Sequence, residues 1–314
     1  MTALVPTLGR RLAPHALPLA MFAIVVAFAI SEPAFLKPDN LIGIVRQVAI
    51  TGIMAVGMTF VIMTGGIDLS VGPVLALSGV IAWFSLDAGA PLLVGIAAGL
   101  SVGLVVGVLN GLIIARIELP PIIVTLAMLS MVRGAALIIG GPDLHQIRGQ
   151  EAYAAIGSGN FLGLPISVHL FALVTLLMIF VQKATPLGLL VAAIGENERA
   201  ARLSGHRTRL TKTALYAICG VGAAIAGIVQ SSQVHTASAT YGEFGTELDV
   251  IASVVLGGTS LMGGNGSIAR TILGVMFLGI MNNGMNILNV PIDIQLIAKG
   301  AIIALSLALS EAKG

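Results

Sequence analysis

The sequence predicts an all-α integral membrane protein with about ten transmembrane helices, judged from its composition and its long apolar runs. Hydrophobic residues make up 57% of the 314 residues, charged residues only 10%, and the mean hydropathy is +1.02. A water-soluble domain normally has about 25% charged residues. In lipid, helices and closed barrels are the structures that satisfy every backbone group. Because the apolar runs are continuous rather than alternating, helices are predicted.

Ten apolar stretches, separated by polar residues or by Pro and Gly, are candidates to cross a bilayer core, which needs about 20 residues per helix. The first stretch follows Arg10 and Arg11 without a small-residue cleavage site after it, so we expect a retained helix rather than a signal peptide. The eighth is short, which leaves nine or eleven crossings open. The predicted limits are 16–31, 41–64, 71–87, 91–116, 121–140, 165–182, 212–233, 246–258, 268–288 and 292–310.

The distribution of Lys and Arg predicts the orientation of the chain. If the N-terminus is cytoplasmic, eleven cations fall in cytoplasmic segments, whereas Lys37 and Arg148 fall outside. Such an excess marks the cytoplasmic side of membrane proteins. Both termini and residues 183–212 are therefore predicted to be cytoplasmic. The eleven cations are Arg10, Arg11, Arg116, Lys183, Arg199, Arg202, Arg207, Arg209, Lys212, Arg270 and Lys313.

Residues 183–212, called the polar segment below, are a long charged interruption of the apolar chain. In a helix from Ala192 to Ser204, the small residues Ala200, Ala201 and Ser204 share one side, and Gly205 ends the helix. We interpret this small-residue face as a docking site for a partner protein. The alternative is an ordinary cytoplasmic loop, which explains the cations but not the small residues.

Two glycine-rich breaks interrupt the apolar runs. In Thr64 to Gly72, Asp68 is an acid close to membrane depth, where ionisable groups usually have a function. The alternative is that Asp68 caps the next helix. Residues 247–267 place two acids at the start of a short helix, where they suit the helix dipole, and five glycines after it. The second break lacks the Gly-x-x-x-x-Gly-Lys-Ser/Thr pattern, so a nucleotide-binding P-loop is not predicted.

Small and polar residues inside the spans allow two interpretations. The series Gly99, Gly103, Gly107 and Gly111 favours close helix packing, and the alternative is that part of this face lines a path. Amides within the spans hydrogen-bond neighbouring helices or contact the hydroxyl groups of a polar solute. These amides are Gln47, Asn110, Gln230, Asn282, Asn283, Asn286 and Gln295. The chain carries no metal-ligand spacing of His or Cys and no catalytic serine motif, so an enzyme is not predicted.

Several stretches resemble the permease subunits of bacterial ABC importers for ribose and related monosaccharides, and the similarity covers nearly the whole chain. No Leu-Pro follows Gly205, unlike the commoner importer motif. The stretches are Ile53-Met-Ala-Val-Gly-Met-Thr59, Gly66-Ile-Asp-Leu-Ser-Val-Gly72, Gly195-Glu-Asn-Glu-Arg-Ala-Ala-Arg-Leu-Ser-Gly205, residues 247–264 and Asn282-Asn-Gly-Met-Asn286.

The resemblance implies one permease domain over residues 1–314, in the bacterial inner membrane, that imports a monosaccharide or small polyol by alternating access. The implied partners are two cytoplasmic ATPase domains that bind ATP and Mg²⁺, a periplasmic sugar-binding protein and a second permease copy; no cofactor is expected on this chain. The ATPase-coupling residues would be Gly195, Glu196, Asn197, Ala200, Ala201, Ser204 and Gly205. The candidate pathway residues are Asp68, Ser70, Asn110, Asn283 and Asn286.

A different class of protein also fits part of the pattern. An ion-coupled secondary transporter or channel would need intramembrane ionisable groups as a relay, and Asp68, Arg133 and Lys299 are the candidates. The sequence leaves open which sugar is carried and whether two identical or two different permeases pair.

Overall fold

The computed structural model describes residues 16–243 and 245–311, and this part of the chain is built almost entirely of α-helices. Arg10, Arg11 and Lys313, and with them the predicted side of the two termini, lie outside the described residues. The helices are α1 Ala16–Ser31, α2 Pro38–Met63, α3 Val71–Asp87, α4 Leu92–Leu112, α5 Pro121–Gly140, α6 Glu151–Ser158, α7 Ile166–Ala184, α8 Pro186–Leu203, α9 Thr208–Val234, α10 Thr246–Leu256, α11 Ile268–Ile287 and α12 Ile292–Glu311.

Short elements connect these helices. A 3₁₀ turn, Pro33–Leu36, joins α1 to α2, and a π-helical turn, Ile113–Ile117, continues α4. Two antiparallel strand pairs lie at the end of the bundle opposite the polar segment: β1 with β4, and β2 with β3. The strands are β1 His145–Gln146, β2 Asn160–Phe161, β3 Leu164–Pro165 and β4 Thr236–Ala237.

Each of the ten predicted stretches corresponds to a helix. The polar segment adds α8, and the loop of residues 141–165, called the outer loop below, adds α6. Six helices of the described chain are long and apolar enough to cross a membrane, so the polytopic helical class is confirmed, whereas ten crossings stays a prediction. These six are Pro38–Met63, Leu92–Ile117, Pro121–Gly140, Ile166–Ala184, Thr208–Val234 and Ile268–Ile287.

Helix α9 lies at the centre of the bundle and packs against α2, α3 and α4. A Cβ atom at Gly103 would overlap the carbonyl of Gly220, and one at Gly111 would lie 2.5 Å from the Cα of Thr213. The two backbones therefore meet without side chains between them, which gives close van der Waals contact in lipid. The prediction that the glycine series of α4 packs helices is confirmed.

The chain contains an internal repeat in which α2 to α5 correspond to α9 to α12. Residues 66–71, Gly-Ile-Asp-Leu-Ser-Val, correspond to residues 245–250, Gly-Thr-Glu-Leu-Asp-Val, at the start of the second helix of each half. Residues 121–126, Pro-Ile-Ile-Val-Thr-Leu, correspond to residues 291–296, Pro-Ile-Asp-Ile-Gln-Leu, at the start of the fourth helix. Each match falls at the same helix of the two halves, the second or the fourth. The halves are therefore similar in the order of their helices as well as in sequence.

The two halves run in opposite directions through the bundle. Helix α2 ends at the face that carries the polar segment, which is the predicted cytoplasmic face; there Gly264 donates its N–H to the carbonyl of Met63 at 2.9 Å, and α9 begins at that same face. The Cβ positions of Gly57 and Gly222 lie near Cys219 and Ile53 respectively, which makes α2 and α9 antiparallel. Inverted repeats of this kind place the two halves around a common point near the membrane centre.

Helices α3 and α10 begin near that centre. Leu75 on α3 packs against Gly227 on α9. With the helical rise per residue, Val71 then lies about 22 Å along the helix axis from the start of α9, and about 24 Å from the other end of α3. With 11 residues, α10 is about 16 Å long, roughly half the hydrocarbon thickness. A Cβ atom on Gly72 would lie 2.6 Å from Glu247 Oε2 and 2.9 Å from the Gly242 carbonyl. The N-termini of α3 and α10 therefore meet inside the bundle.

Candidate functional sites in the membrane and at its cytoplasmic face

The first junction, defined as residues 64–70 with the start of α3, is a closed polar cluster. Asp68 Oδ1 accepts hydrogen bonds from the Ser70 N–H at 2.9 Å and the Ser70 hydroxyl at 2.6 Å. Asn110 Nδ2 donates to Asp68 Oδ1 at 3.3 Å and to Ser70 Oγ at 3.0 Å. The three residues are 1%, 1% and 0% exposed. Asp68 thus binds Ser70, the residue just before α3, and no N–H group inside the helix; Ser70 occupies the N-cap position without a side-chain cap, so the prediction that Asp68 caps α3 is wrong.

The second junction, defined as residues 238–245 with the start of α10, holds charges that are partly exposed. Asp249 Oδ2 accepts a hydrogen bond from Lys299 Nζ at 2.8 Å, and their side chains are 22% and 14% exposed. Asn282, on α11, lies beside Asp249. A cavity of about 10 Å³ beside Asp249 is lined by the polar side chains of Gln47, Thr51 and Asn282 and by apolar residues of α2 and α11. That volume suits one water molecule.

Arg133 on α5 reaches this second junction. Its Nη1 donates to the carbonyls of Tyr241, at 2.8 Å, and Ala239. Glu243 is exposed and Glu247 half-buried, and both lie near enough to attract the guanidinium. In the described part of the chain, neither carboxylate forms an ion pair within 4.0 Å.

The remaining pathway candidates lie apart from these clusters. Asn283 exchanges hydrogen bonds with Asn40 at 3.0 and 2.9 Å, and Asn286 Oδ1 accepts one from Gln295 Nε2 at 2.8 Å. Both asparagines therefore join helices near the outer end of α11. Of the five pathway candidates, the structure brings together Asp68, Ser70 and Asn110, and it places Asn283 and Asn286 elsewhere.

The sequence-based reasoning missed the role of position 247 because it treated the two glycine-rich breaks separately. The repeated pattern pairs Asp68 with Glu247 and Ser70 with Asp249, and the next helix of each half supplies an asparagine, Asn110 or Asn282. The missed signal was this internal repeat.

The polar segment folds as two helical parts joined at a break. Asn197 has extended backbone angles, φ −159° and ψ 93°, and its Oδ1 accepts a hydrogen bond from the Ala200 N–H at 2.9 Å. Asn197 therefore starts a new helical turn, which Gly205 terminates with φ +88°. The predicted end at Gly205 is confirmed, whereas the single uninterrupted helix from Ala192 to Ser204 is wrong.

The break arises because the first part of α8 is pressed against the membrane domain. A Cβ atom at Gly195 would overlap the carbonyl of Met63 and the N–H of Gly264, so only glycine allows this approach. The turn at Asn197 changes the direction of the chain, and Ala201 after it is again buried. The segment is thereby in direct contact with the end of α2 and with the loop before α11.

The short helix of residues 198–203, called the surface helix below, turns one side inward and the other outward. Ala201 is 6% exposed and packs against the membrane domain, so it does not share the outward face with Ala200 and Ser204. Leu203 is 82% exposed and stands beside them. Glu196, Asn197 and Gly205 are exposed as well.

Ion pairs hold the surface helix to its neighbours. Glu198 pairs with Arg202 at 3.2 Å and with Lys212 at 3.0 Å. Glu118, in the loop between α4 and α5, pairs with Arg209 at 3.0 Å and Arg202 at 3.3 Å, and these two arginines lower the pKa of its carboxyl below the ordinary value. Burial raises the pKa of Glu198, but Lys212 and Arg202 outweigh it and the net pKa is lowered.

Comparison with known proteins gives consistent matches over this architecture. The family described as branched-chain amino acid transport system / permease component matches residues 40–307. The ribose import permease protein of Bacillus subtilis is 42% identical over 296 residues, which is 94% of this chain and 92% of that protein. The Escherichia coli K12 ribose import permease protein is 38% identical over 298 residues, 94% and 92% of the two chains.

A third relative, the L-arabinose transport system permease protein of Escherichia coli K12, is 38% identical over 286 residues, 91% of this chain and 87% of that protein. No solved structure matches.

Proposed function

This chain belongs to the branched-chain amino acid transport system / permease component family, and we propose that it is the membrane-spanning subunit of an ATP-driven importer for a monosaccharide or small polyol. Its relatives are permease subunits of sugar transport systems rather than enzymes, and its helices make it a multi-pass protein of the inner membrane. Ribose and arabinose, which name those relatives, are the first substrates to test.

The single observation that carries the proposal is the outward face of the surface helix. Leu203, Ala200 and Ser204 form an exposed patch on a helix that ion pairs fix at the cytoplasmic end of the bundle. A leucine that is 82% exposed in water favours burial against a partner. We assign this patch to a separate cytoplasmic ATPase that binds ATP and Mg²⁺.

Backbone contacts at glycine residues connect the docking site to the membrane-spanning helices. Gly195 touches both the end of α2 at Met63 and the loop before α11 at Gly264. Gly263 in turn approaches Gly65, with its Cβ position 3.0 Å from the Gly65 nitrogen. A displacement of the polar segment is therefore transmitted to both halves of the repeat through backbone contacts, which have little freedom to absorb it.

The solute path runs, in this proposal, along the face formed by α5 and the second junction. Arg133, Glu243 and Glu247 are charged, at least partly exposed and close to the membrane centre, where contact with lipid would cost several kcal/mol. Water or a second permease copy must cover them. Carboxylates and the free N–H groups of a guanidinium are suitable partners for sugar hydroxyls. The first junction, being fully buried, positions α3 in this scheme.

Alternating access follows from these assignments. A periplasmic binding protein delivers the solute at the outer face, and dimerisation of the ATPases on ATP shifts the two-permease core between its outward and inward states. Such a shift requires that the core bind its partners or solute differently in the two states. The path itself then needs only weak affinity for sugar, and selectivity lies in the binding protein.

An ion-coupled mechanism finds no relay among the described residues. Asp68 is bound by Ser70 and Asn110, Arg133 by two carbonyls, and Lys299 by Asp249, so each candidate has its own partners in a separate place. Uptake that persists without the ATPase and collapses with an uncoupler would nevertheless establish it.

Leu203→Asp tests the docking assignment. The charged residue should prevent burial of the patch, so the ATPase should no longer copurify with the permease, although the permease still reaches the membrane. Leu162 is the matched control because it is 84% exposed and lies in the outer loop, across the membrane from the ATPase. Leu162→Asp should leave copurification unchanged. Normal ATPase binding by the Leu203→Asp variant would contradict the assignment.

A further inference from the structure

A strongly cationic cavity lies next to the surface helix, at the cytoplasmic ends of α4 and α9. It has a volume of about 450 Å³. Four arginines line it. Membrane topology explains an excess of cations on one side of the membrane, but it does not require four of them around a single cavity. The lining residues are Leu112, Arg116, Arg202, His206, Arg207, Thr208, Arg209, Leu210 and Thr213.

Internal carboxylates neutralise only part of this charge. Glu118 pairs with Arg202 and Arg209 at the rim. Arg116 and Arg207 take part in no ion pair within 4.0 Å among residues 16–243 and 245–311. Two guanidinium groups therefore line a common cavity with donors to spare. Planar guanidinium groups bind phosphate oxygens in bidentate fashion.

A buried hydroxyl supports an anionic ligand independently of the charges. Thr208 is 2% exposed, lines the cavity and begins α9, and its Oγ1 has no hydrogen-bond partner in the described part of the chain. A buried hydroxyl without a partner is costly. In addition, α9 has 27 residues, and Arg207 supplies no side-chain cap to its N-terminus. The positive end of the helix dipole and its free N–H groups suit a phosphate group.

The residues around the cavity favour a phospholipid over a soluble phosphate as the ligand. Leu112 and Leu210 form apolar wall beside the arginines, and Leu210 is 61% exposed. The cavity lies at the end of one apolar span, Leu92–Ile117, and the start of another, Thr208–Val234, which is where lipid headgroups are expected. An acyl chain can lie along the leucines while the phosphate contacts the arginines, whereas a soluble phosphate leaves the leucines in water.

We propose that this cavity binds the phosphate group of an anionic phospholipid of the inner leaflet, with Arg116, Arg207 and the Thr208 hydroxyl as its ligands. The lipid joins α4 and α9 to the chain that leaves the surface helix, because the arginines come from both sides of the cavity. This assignment does not depend on which solute is transported.

Thermal unfolding of the full chain, purified in an uncharged detergent, tests the proposal. Phosphatidylglycerol should raise the Tm by about 4 °C, because it binds the folded state. Phosphatidylcholine with the same acyl chains should not. The double variant Arg116→Gln with Arg207→Gln should need at least about tenfold more phosphatidylglycerol for the same shift. Thr208→Val should weaken the response without a change in charge.

The matched control removes two exposed cations of the polar segment that do not line the cavity, by Lys183→Gln with Arg199→Gln, and should respond as the wild type does. Inorganic phosphate distinguishes the two sources. If it raises the Tm and phosphatidylglycerol does not, the lipid assignment is overturned in favour of a soluble phosphate. If neither ligand acts, or if both double variants respond alike, the site itself is overturned.

Discussion

The two junctions of the repeat begin with the same sequence pattern, yet one is closed and the other partly open. At the first, Asp68 is 1% exposed and Asn110 is 0% exposed. At the second, Glu247 is half-buried, and the carboxylate of Asp249 forms an ion pair with the ammonium group of Lys299. This difference in burial is the basis of our proposal that the first junction stabilises the bundle and the second lies on the solute path.

The change expected to separate the junctions most is alanine at their paired acids. Asp68→Ala removes the acceptor for three hydrogen bonds and leaves buried donors without partners, so the free energy of unfolding should fall by about 3 kcal/mol. Glu247→Ala should lower it by less than about 1 kcal/mol, because the side chain is only half-buried and forms no ion pair within 4.0 Å in the described part of the chain. Unfolding of both variants in detergent measures the contrast. Equal losses would contradict the proposed division.

The next effect concerns the intramembrane ion pair. Lys299→Met leaves Asp249 without its cation and should reduce the free energy of unfolding by about 2 kcal/mol, a value below that of a fully buried pair because both side chains are partly exposed. Adding Asp249→Asn should restore most of the loss. A double-mutant cycle measures the coupling, and additive losses would show that the pair contributes nothing.

Glu247→Gln addresses function rather than stability. The amide keeps the size of the side chain but removes the charge, so we expect uptake to fall about tenfold, or about 1.4 kcal/mol in the barrier, with little change in Tm. Asp87→Asn, which neutralises an exposed acid at the far end of α3 from the second junction, is the control for a neutralised position off the proposed path. Unchanged uptake by Glu247→Gln would remove this residue from the path.

Accessibility to a charged thiol reagent sharpens the same comparison. The single native cysteine, Cys219, is buried, so the wild-type chain provides a clean background. Glu247→Cys should react with a membrane-impermeant methanethiosulfonate, because the side chain borders water. Asp68→Cys should not react until the protein unfolds. Mass spectrometry of the labelled chains gives the answer, and labelling of both or neither contradicts the assignment.

The smallest effect is expected at the exposed ion pairs of the surface helix, which contrast with the pair in the membrane. The pKa of Glu198 is lowered in the folded protein, so its contribution is present above the unfolded value near 4.5 and disappears as pH falls through the folded value. The free energy involved should be below about 1 kcal/mol. Tm measured from pH 6 to pH 3, against Glu198→Gln, tests this sign; a Tm difference that grows on acidification would contradict it.

Sequence patterns predicted much of the fold because hydrophobic length and cation distribution are local properties. The limits of α1, α3 and α5 agree with the predicted stretches, and Gly205 ends its helix as expected. The break at Asn197 was not predictable in this way. It depends on Gly195 meeting Met63 and Gly264, residues that lie far away in the sequence.

The sequence by itself determined the class of protein, the order of its helices, the place of the polar segment between them and the repeated acidic pattern, since each follows from residues close together in the chain. The tertiary structure decided which side of each element is covered. It turned Ala201 inward and left Leu203 outward, and it buried Asp68 while leaving Glu247 half-exposed. The physical reason is that burial depends on which distant helix packs against a residue, and the same six-residue pattern meets different neighbours in the two inverted halves.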